Sequence, residues 1–243
     1  LSELGFKVHL MNESPGNSSD MAWQLDILAG SGIVLHNEWV STIKASAAVA
    51  TIAHSASYIN KFFRETSKCF YFIQDHEAFF NPAGDVFLDA QCSYAEGLQC
   101  ITIGSWLGHV LSVQYGIGAA SGGLGVDHSV YRPLTTDTGP GSAADHQRRS
   151  NRIAFLYQPE KVRRAPDLCI RALSLVKKKA PEVEIVTYGS PRLPNLPFEA
   201  DHRGLISDVN DLNSIYNSCA IGLSISATNP SRIPFEMMAA GCV

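Results

Sequence analysis

The chain has no apolar run approaching the roughly 18 to 20 residues of a membrane-spanning helix. It has no cationic-then-apolar stretch at its start, so no secretory leader is read there. Basic residues do not dominate. Lys and Arg number 19 against 23 Asp and Glu, for a net charge of −4, whereas a nucleic-acid partner needs a cationic face. The six cysteines, at 69, 92, 100, 169, 219 and 242, contain no Cys-x-x-Cys pair, which removes the spacing of a zinc cluster or a disulfide framework. Apolar neighbours, as in Cys69-Phe70-Tyr71-Phe72 and Leu168-Cys169-Ile170, mark most of them as reduced core residues. There is no internal repeat, no low-complexity tract and no Asp-x-Asp pair. No metal site and no cofactor are called for. What remains is an ordinary globular chain, expected in the cytoplasm. Its 243 residues, 45% hydrophobic and 17% charged, suffice for one large or two small domains.

What is present is an alternation of strands and helices. Leu1 to Gly5 reads as a helix tail with a glycine C-cap, and Phe6 to Met11 as a strand. Spacing then predicts a helix over Asp20 to Ala29, a strand over Gly32 to His36, a helix over Glu38 to Ser46 and a buried strand over Ala47 to Ala53. A helix over Tyr58 to Glu65, a strand over Lys68 to Gln74 and a helix over Asp85 to Gly97 follow. After these come a strand over Gln99 to Ile103 and a helix over Ser105 to Tyr115, with Ser105 as N-cap and Gly116 as C-cap. Residues 135–151 are polar, contain Gly and Pro, and lack periodicity, which makes them a linker. Beyond it the alternation restarts: strands over Arg152 to Tyr157, Val183 to Tyr188, His202 to Ile206 and Ala220 to Ile225, and helices over Pro166 to Lys179, over Asp211 to Ser218 and from Pro234. Near-continuous apolar strands between helices imply parallel sheets covered on both faces. The expected organisation is a first Rossmann-like domain over 1–134 lacking an earlier strand, the linker, and a second domain over 152–243 interrupted inside its last helix. A ligand would occupy the cleft between them.

Three groups of residues can carry chemistry there. Asp75, His76 and Glu77 follow an apolar strand directly and so stand at the C-terminal edge of its sheet. Lys161, Arg163 and Arg164 follow the first strand of the second unit and precede a helix start, a setting suited to a diphosphate. Glu236 is placed third in a helix opened by Pro234, after a loop that contains Arg232. Gly189, after another strand, is a candidate phosphate contact.

Pro234-Phe235-Glu236-Met237-Met238-Ala239-Ala240-Gly241-Cys242-Val243 resembles the "Pro-x-Glu-Ala-Met-Ala-x-Gly-x-Pro-Val" segment of glycosyltransferase family 4, whose fold is GT-B. Gly125-Val126-Asp127 with Tyr131-Arg132-Pro133 is similar to the turn closing that family's N-terminal domain. Ala165 to Leu173 resembles its first donor-domain helix, with Arg164 in the place of a phosphate-binding Lys. Gly204-Leu205-Ile206 resembles its nucleobase-side segment. Tyr71-Phe72-Ile73-Gln74-Asp75-His76-Glu77, then Phe80, resembles the "Phe-Ile-Gln-Asp-x-Glu-Pro" signature of rhamnosyltransferase-like members that build bacterial surface polysaccharide.

The resemblance implies an α/β GT-B protein that moves a sugar, such as rhamnose, from a dTDP- or UDP-sugar to a glycan or lipid-linked acceptor. The transfer would be metal-independent and, by family precedent, retaining. A lipid-linked acceptor implies peripheral association with the inner face of the cell membrane. Glu236, Arg164, Arg163, Lys161, Gly189, Ile206 and Arg232 then fall on the donor side, and Asp75, Glu77 and His76 in the catalytic group. The pattern also departs from the family. Eight positions before Glu236, where many members carry a first glutamate, stands Thr228, and the early donor-domain Arg expected near Gln158-Pro159 is absent. A non-catalytic nucleotide- or sugar-binding module, or a degenerate fragment of such an enzyme, therefore stands beside the transferase reading, as does a GT-B epimerase. The transferase reading requires the Glu236 carboxylate to face the cleft.

Overall fold

The computed structural model describes residues 4–12, 30–134, 151–193 and 195–243. The helix expected over Asp20 to Ala29 and nearly all of the linker lie outside these residues. Strands β1 (His9–Met11) and β2 (Val34–His36) form a parallel pair. A four-stranded parallel sheet follows in the order β3-β4-β5-β6, made of β3 (Ala47–Ala50), β4 (Lys68–Ile73), β5 (Gln99–Ile103) and β6 (Ala119–Gly122). Parallel neighbours need crossovers. Here α1 (Ala53–Phe63), α2 (Asp85–Ser93) and α3 (Ser105–Tyr115) supply them. Ile59 and Phe63 from α1, and Leu107 and Leu111 from α3, bury against Tyr71 and Ile73 of β4.

The second four-stranded sheet, also parallel, has the order β10-β7-β8-β9. Its strands are β7 (Arg152–Leu156), β8 (Glu184–Tyr188), β9 (Asp201–His202) and β10 (Ile221–Leu223). Its side chains alternate between two cores, as the two-residue strand period demands. Ala154, Leu156, Val186 and Tyr188 face α5 (Val209–Asn217) and α6 (Ile233–Ala239), through Ile215, Tyr216 and Met237. Ile153, Phe155 and Ile185 face the other way, onto Cys169 and Leu173 of α4 (Pro166–Lys179). Both faces are thus covered, which is why these strands read as continuous apolar runs. Helix α4 is signposted at both ends: Pro166 occupies its start and Lys177, Lys178 and Lys179 its last turn, where cations complement the dipole.

Several expectations need correction. Glu38 to Ser46 forms no helix. Val40, Thr42 and Ile43 are β-branched and Ser41 competes for backbone bonds, while Trp39 is held edge-on against Tyr58 with ring centroids 4.2 Å apart. Gly104, not Ser105, caps α3, because the chain enters that helix at φ 78°. Of the expected 202–206 strand only His202 pairs with β8, together with Asp201 just before it. Helix α6 begins at Ile233, so Glu236 is its fourth residue and its N–H is already bonded to the Arg232 carbonyl. Tyr131, placed by sequence in the first domain, buries its ring in the second core. Asn213 and Asn217 of α5 receive the Arg132 and Leu134 N–H groups.

Candidate functional site

The C-terminal edges of the two large sheets meet at Asp75. This residue stands just past β4 and is only 7% exposed. Its Oδ1 accepts the His76 N–H of its own turn at 2.8 Å and the Asn229 N–H at 3.0 Å; its Oδ2 accepts the Thr228 hydroxyl at 2.9 Å. The Arg163 guanidinium stands 3.7 Å from Oδ2 and lies over the Phe80 ring, 4.4 Å from its centroid. Asn229 also donates its side-chain amide to the Gln74 carbonyl at 3.0 Å. The acidic turn of one half is therefore clasped by two loops of the other, at 161–164 and 226–231. Those loops are themselves tied by the Ala227 N–H on the Arg163 carbonyl.

His76 and Glu77 turn inward instead. His76 is fully buried among Phe79, Tyr94 and Tyr115, with Nε2 2.9 Å from the Tyr115 hydroxyl and Nδ1 without a hydrogen-bond partner. Burial holds its imidazole below the ordinary range, in the neutral form. Glu77 reaches back to the start of α1, where Oε2 accepts the Ala53 N–H at 2.8 Å, while its own N–H donates to the Tyr94 hydroxyl. The N-cap position of α1 is Ile52, which has no side-chain oxygen, so a carboxylate from 24 residues downstream does the capping. Burial raises the Glu77 carboxyl, and the Ala53 bond opposes that shift.

On the second sheet, β7, β8 and β10 end side by side. Gln158, Gly189 and Ser224 follow those ends. Gly189 adopts φ 100°, and a Cβ there would stand 2.8 Å from Leu156 Cδ1 and 3.4 Å from Gln158 Cγ. Gln158 Oε1, Ser224 Oγ and Arg164 Nε are buried atoms without a hydrogen-bond partner. Each such group carries a cost of about 1–3 kcal/mol unless something fills it. Arg164 is buried, and its two η nitrogens donate to the Pro230 carbonyl and to the Ser231 hydroxyl, bracing the loop where Ser231 holds φ 66°. Lys161 lies at the surface, yet partial desolvation of its ammonium by the surrounding turn, then the charges of Arg163 and Arg164, pull it below the ordinary lysine range.

Glu236 departs from the expected open carboxylate. It is 6% exposed, and Arg232 Nε stands 3.7 Å from its Oε1. Its carboxyl is raised by burial, against the pull of Arg232. Its charge is felt by Tyr131, Tyr188 and Tyr216, all from the second core. Ile206 packs at the rim of that same core. Sequence reasoning missed Gln158, Ser224 and Asn229 as site residues and knew Thr228 only as a departure from a pattern. The one available signal was their place immediately after strands, in a loop ahead of a helix.

Among the described residues no group of three or more His, Cys, Asp or Glu could hold a metal ion, and no helix is long and apolar enough to cross a membrane.

Comparison with known proteins adds three findings. Residues 151–243 match the family model "WsaF, C-terminal domain". The chain is 29% identical over 181 residues to the O-antigen biosynthesis protein RfbC of Myxococcus xanthus, an alignment covering 70% of this chain and 13% of that protein. In structure it is similar to TarM, with a TM-score of 0.59 at 13% identity over 80% of this chain and 39% of TarM. The fold is that of TarM, a GT-B arrangement of parallel α/β sheets. A TarM variant from S. aureus, crystallised with Fondaparinux, alpha-GlcNAc-glycerol and UDP, aligns at a TM-score of 0.57 and 12% identity over 79% of this chain and 39% of that one. The chain thus spans only a minor part of the length of the relatives it matches.

Proposed function

We propose that this chain belongs to a sugar transferase of polysaccharide biosynthesis and carries its donor site at the C-terminal edge of the second sheet, facing Asp75 of the first. The reaction breaks the bond between the anomeric carbon and the diphosphate of a dTDP- or UDP-sugar, rhamnose being the sugar the resemblance favours. It joins that carbon to a hydroxyl of a glycan or lipid-linked saccharide, whose proton is taken up as the nucleoside diphosphate leaves. In this reading Arg163, Lys161 and the free Nε of Arg164 stabilise charge on the diphosphate, which is where transition-state charge develops. Gly189 lets the phosphate approach the backbone, because a Cβ there would already crowd Leu156. Asp75 orients the acceptor hydroxyl. His76 and Glu77 hold the Asp75 turn from within. Glu236, Arg232 and Ile206 line the nucleotide and sugar side.

One observation carries the proposal. Buried polar atoms without partners on Gln158, Ser224 and Arg164 follow strands of the second sheet, and loops from that same half clasp a carboxylate of the other half. The TarM variant crystallised with UDP and a sugar-bearing glycerol supports ligands of this class in such a fold. We further propose the division of the chain at the 135–151 linker. The buried state of Glu236 favours a second reading, a binding module that holds a nucleotide without turnover. The deciding experiment incubates the chain with labelled dTDP- and UDP-sugars and follows release of free sugar and transfer to saccharide acceptors. Turnover that falls on Glu236→Ala supports the transferase. Binding of nucleotide with no turnover under any acceptor supports the module.

A further inference from the structure

We propose that Thr228 and Asn229 are positioning residues for the Asp75 carboxylate, so that the donor-side loop of one half sets the acceptor-side carboxylate of the other. The proposal rests on the transferase reading. Position 228 is the site of the departure noted in the sequence, where a hydroxyl stands in place of a carboxylate. The structure shows that a carboxylate is nonetheless present there, delivered from 153 residues away: the Thr228 hydroxyl donates to Asp75 Oδ2 at 2.9 Å. The neighbouring Asn229 N–H takes Oδ1 at 3.0 Å, and the Asn229 side-chain amide fixes the Gln74 carbonyl at 3.0 Å.

Both carboxylate oxygens are thus held from the opposite half, and the backbone that carries them is held as well. Thr228 and Asn229 are themselves buried, 9% and 8% exposed, so these bonds are sheltered from competing water. The clasp is not a free-standing contact. The loop that provides it is shaped by the Asn229 side chain accepting the Ser231 N–H at 2.8 Å, and by Arg164 on Pro230 and Ser231. The loop's Ala227 N–H rests on Arg163. The two cations assigned to the diphosphate therefore buttress the segment that orients Asp75. The loop thereby aims the Asp75 carboxylate at a donor already seated on those cations, which is the near-attack geometry that transfer between two substrates requires.

The test uses the full chain and two independent readouts. Thr228→Val keeps the side-chain shape and removes the hydroxyl. The kcat for donor hydrolysis should fall by about ten-fold or more, as for a lost hydrogen bond to a charged group. UDP affinity by calorimetry should stay within about two-fold, and Thr228→Ser should restore the rate. A Thr228→Val chain with unchanged kcat, or one losing UDP affinity in step with rate, overturns the positioning role. The second readout needs no activity. The Asn229 amide should exchange slowly in the parent chain and about ten-fold faster or more in Asp75→Ala, while the amides of β7 and β8 keep their rates. Equal Asn229 exchange in the two proteins overturns the clasp. A parent chain that gives no heat with UDP sinks the donor assignment above, and the amide exchange then decides the clasp alone.

Discussion

Replacing Glu77 separates its structural task from any part in the reaction. The residue is 9% exposed, and its carboxylate makes one short bond, 2.8 Å, to the first N–H of α1. Truncation to Ala removes a helix cap, worth about 0.5–2 kcal/mol, and leaves the Ala53 N–H unpaired. The total cost is about 2–3 kcal/mol, or a fall in Tm of ~5–10 °C for a chain of this size. Glu77→Gln retains an acceptor oxygen and removes the charge. Because burial raises the folded-state pKa of Glu77, its contribution is most favourable below the unfolded value of about 4.3 and declines as pH rises through the folded value. At pH 7.5 the Gln variant should therefore match or slightly exceed the parent in stability, and at pH 4 the advantage should vanish. Urea unfolding of parent, Gln and Ala chains at both pH values measures this directly. A Gln variant as unstable as the Ala variant at pH 7.5 would show that the charge itself holds the helix end, and the reasoning would fail. A Gln variant that is stable but inert in transfer would return Glu77 to the reaction.

Other consequences follow from the same geometry. Glu236→Gln should be at least as stable as the parent at pH 7.5, since burial raises its folded pKa as well and ionisation above that value disfavours the fold; thermal melts at pH 5 and 7.5 check the sign, and donor turnover should still fall. Gly189→Ala places a Cβ against Leu156 at a backbone angle that L-residues avoid, costing about 1–3 kcal/mol and weakening UDP binding measured by calorimetry. Arg163→Ala removes both the Phe80 ring contact and the ion pair to Asp75. It should lower UDP affinity about ten-fold or more while shifting Tm by only ~2–4 °C.

Much of the fold was legible because burial wrote it into local pattern. β4 is a run of Cys, Phe, Tyr, Phe and Ile that only a sheet covered on both faces would tolerate, and α4 carries Pro at its start and three lysines at its end. β6 escaped notice because Ala-Ala-Ser-Gly has neither alternation nor β-branching; its strand character comes from pairing with β5. Glu38 to Ser46 misled because apolar spacing alone outvoted propensity. The candidate site was legible in outline but not in detail. Strand ends marked Asp75, Gly189 and the 161–164 turn. Whether a side chain faced the gap or the interior depended on partners far off in sequence. Ala53 drew Glu77 inward, and Thr228 with Asn229 captured Asp75. No local rule carries such information, because each contact joins segments whose proximity is set only once both sheets have formed.

The claim on which the account stands is that strand ends of the second sheet bind a nucleoside diphosphate with Arg163 and Arg164. Calorimetric titration of UDP and of dTDP into the parent chain, and into Arg163→Ala and Arg164→Ala, tests it most directly. At least one nucleotide should bind saturably in the substrate range of ~1 µM to 1 mM, and each substitution should weaken it. The absence of heat from both nucleotides in a folded parent chain, or affinity that neither substitution changes, would contradict it.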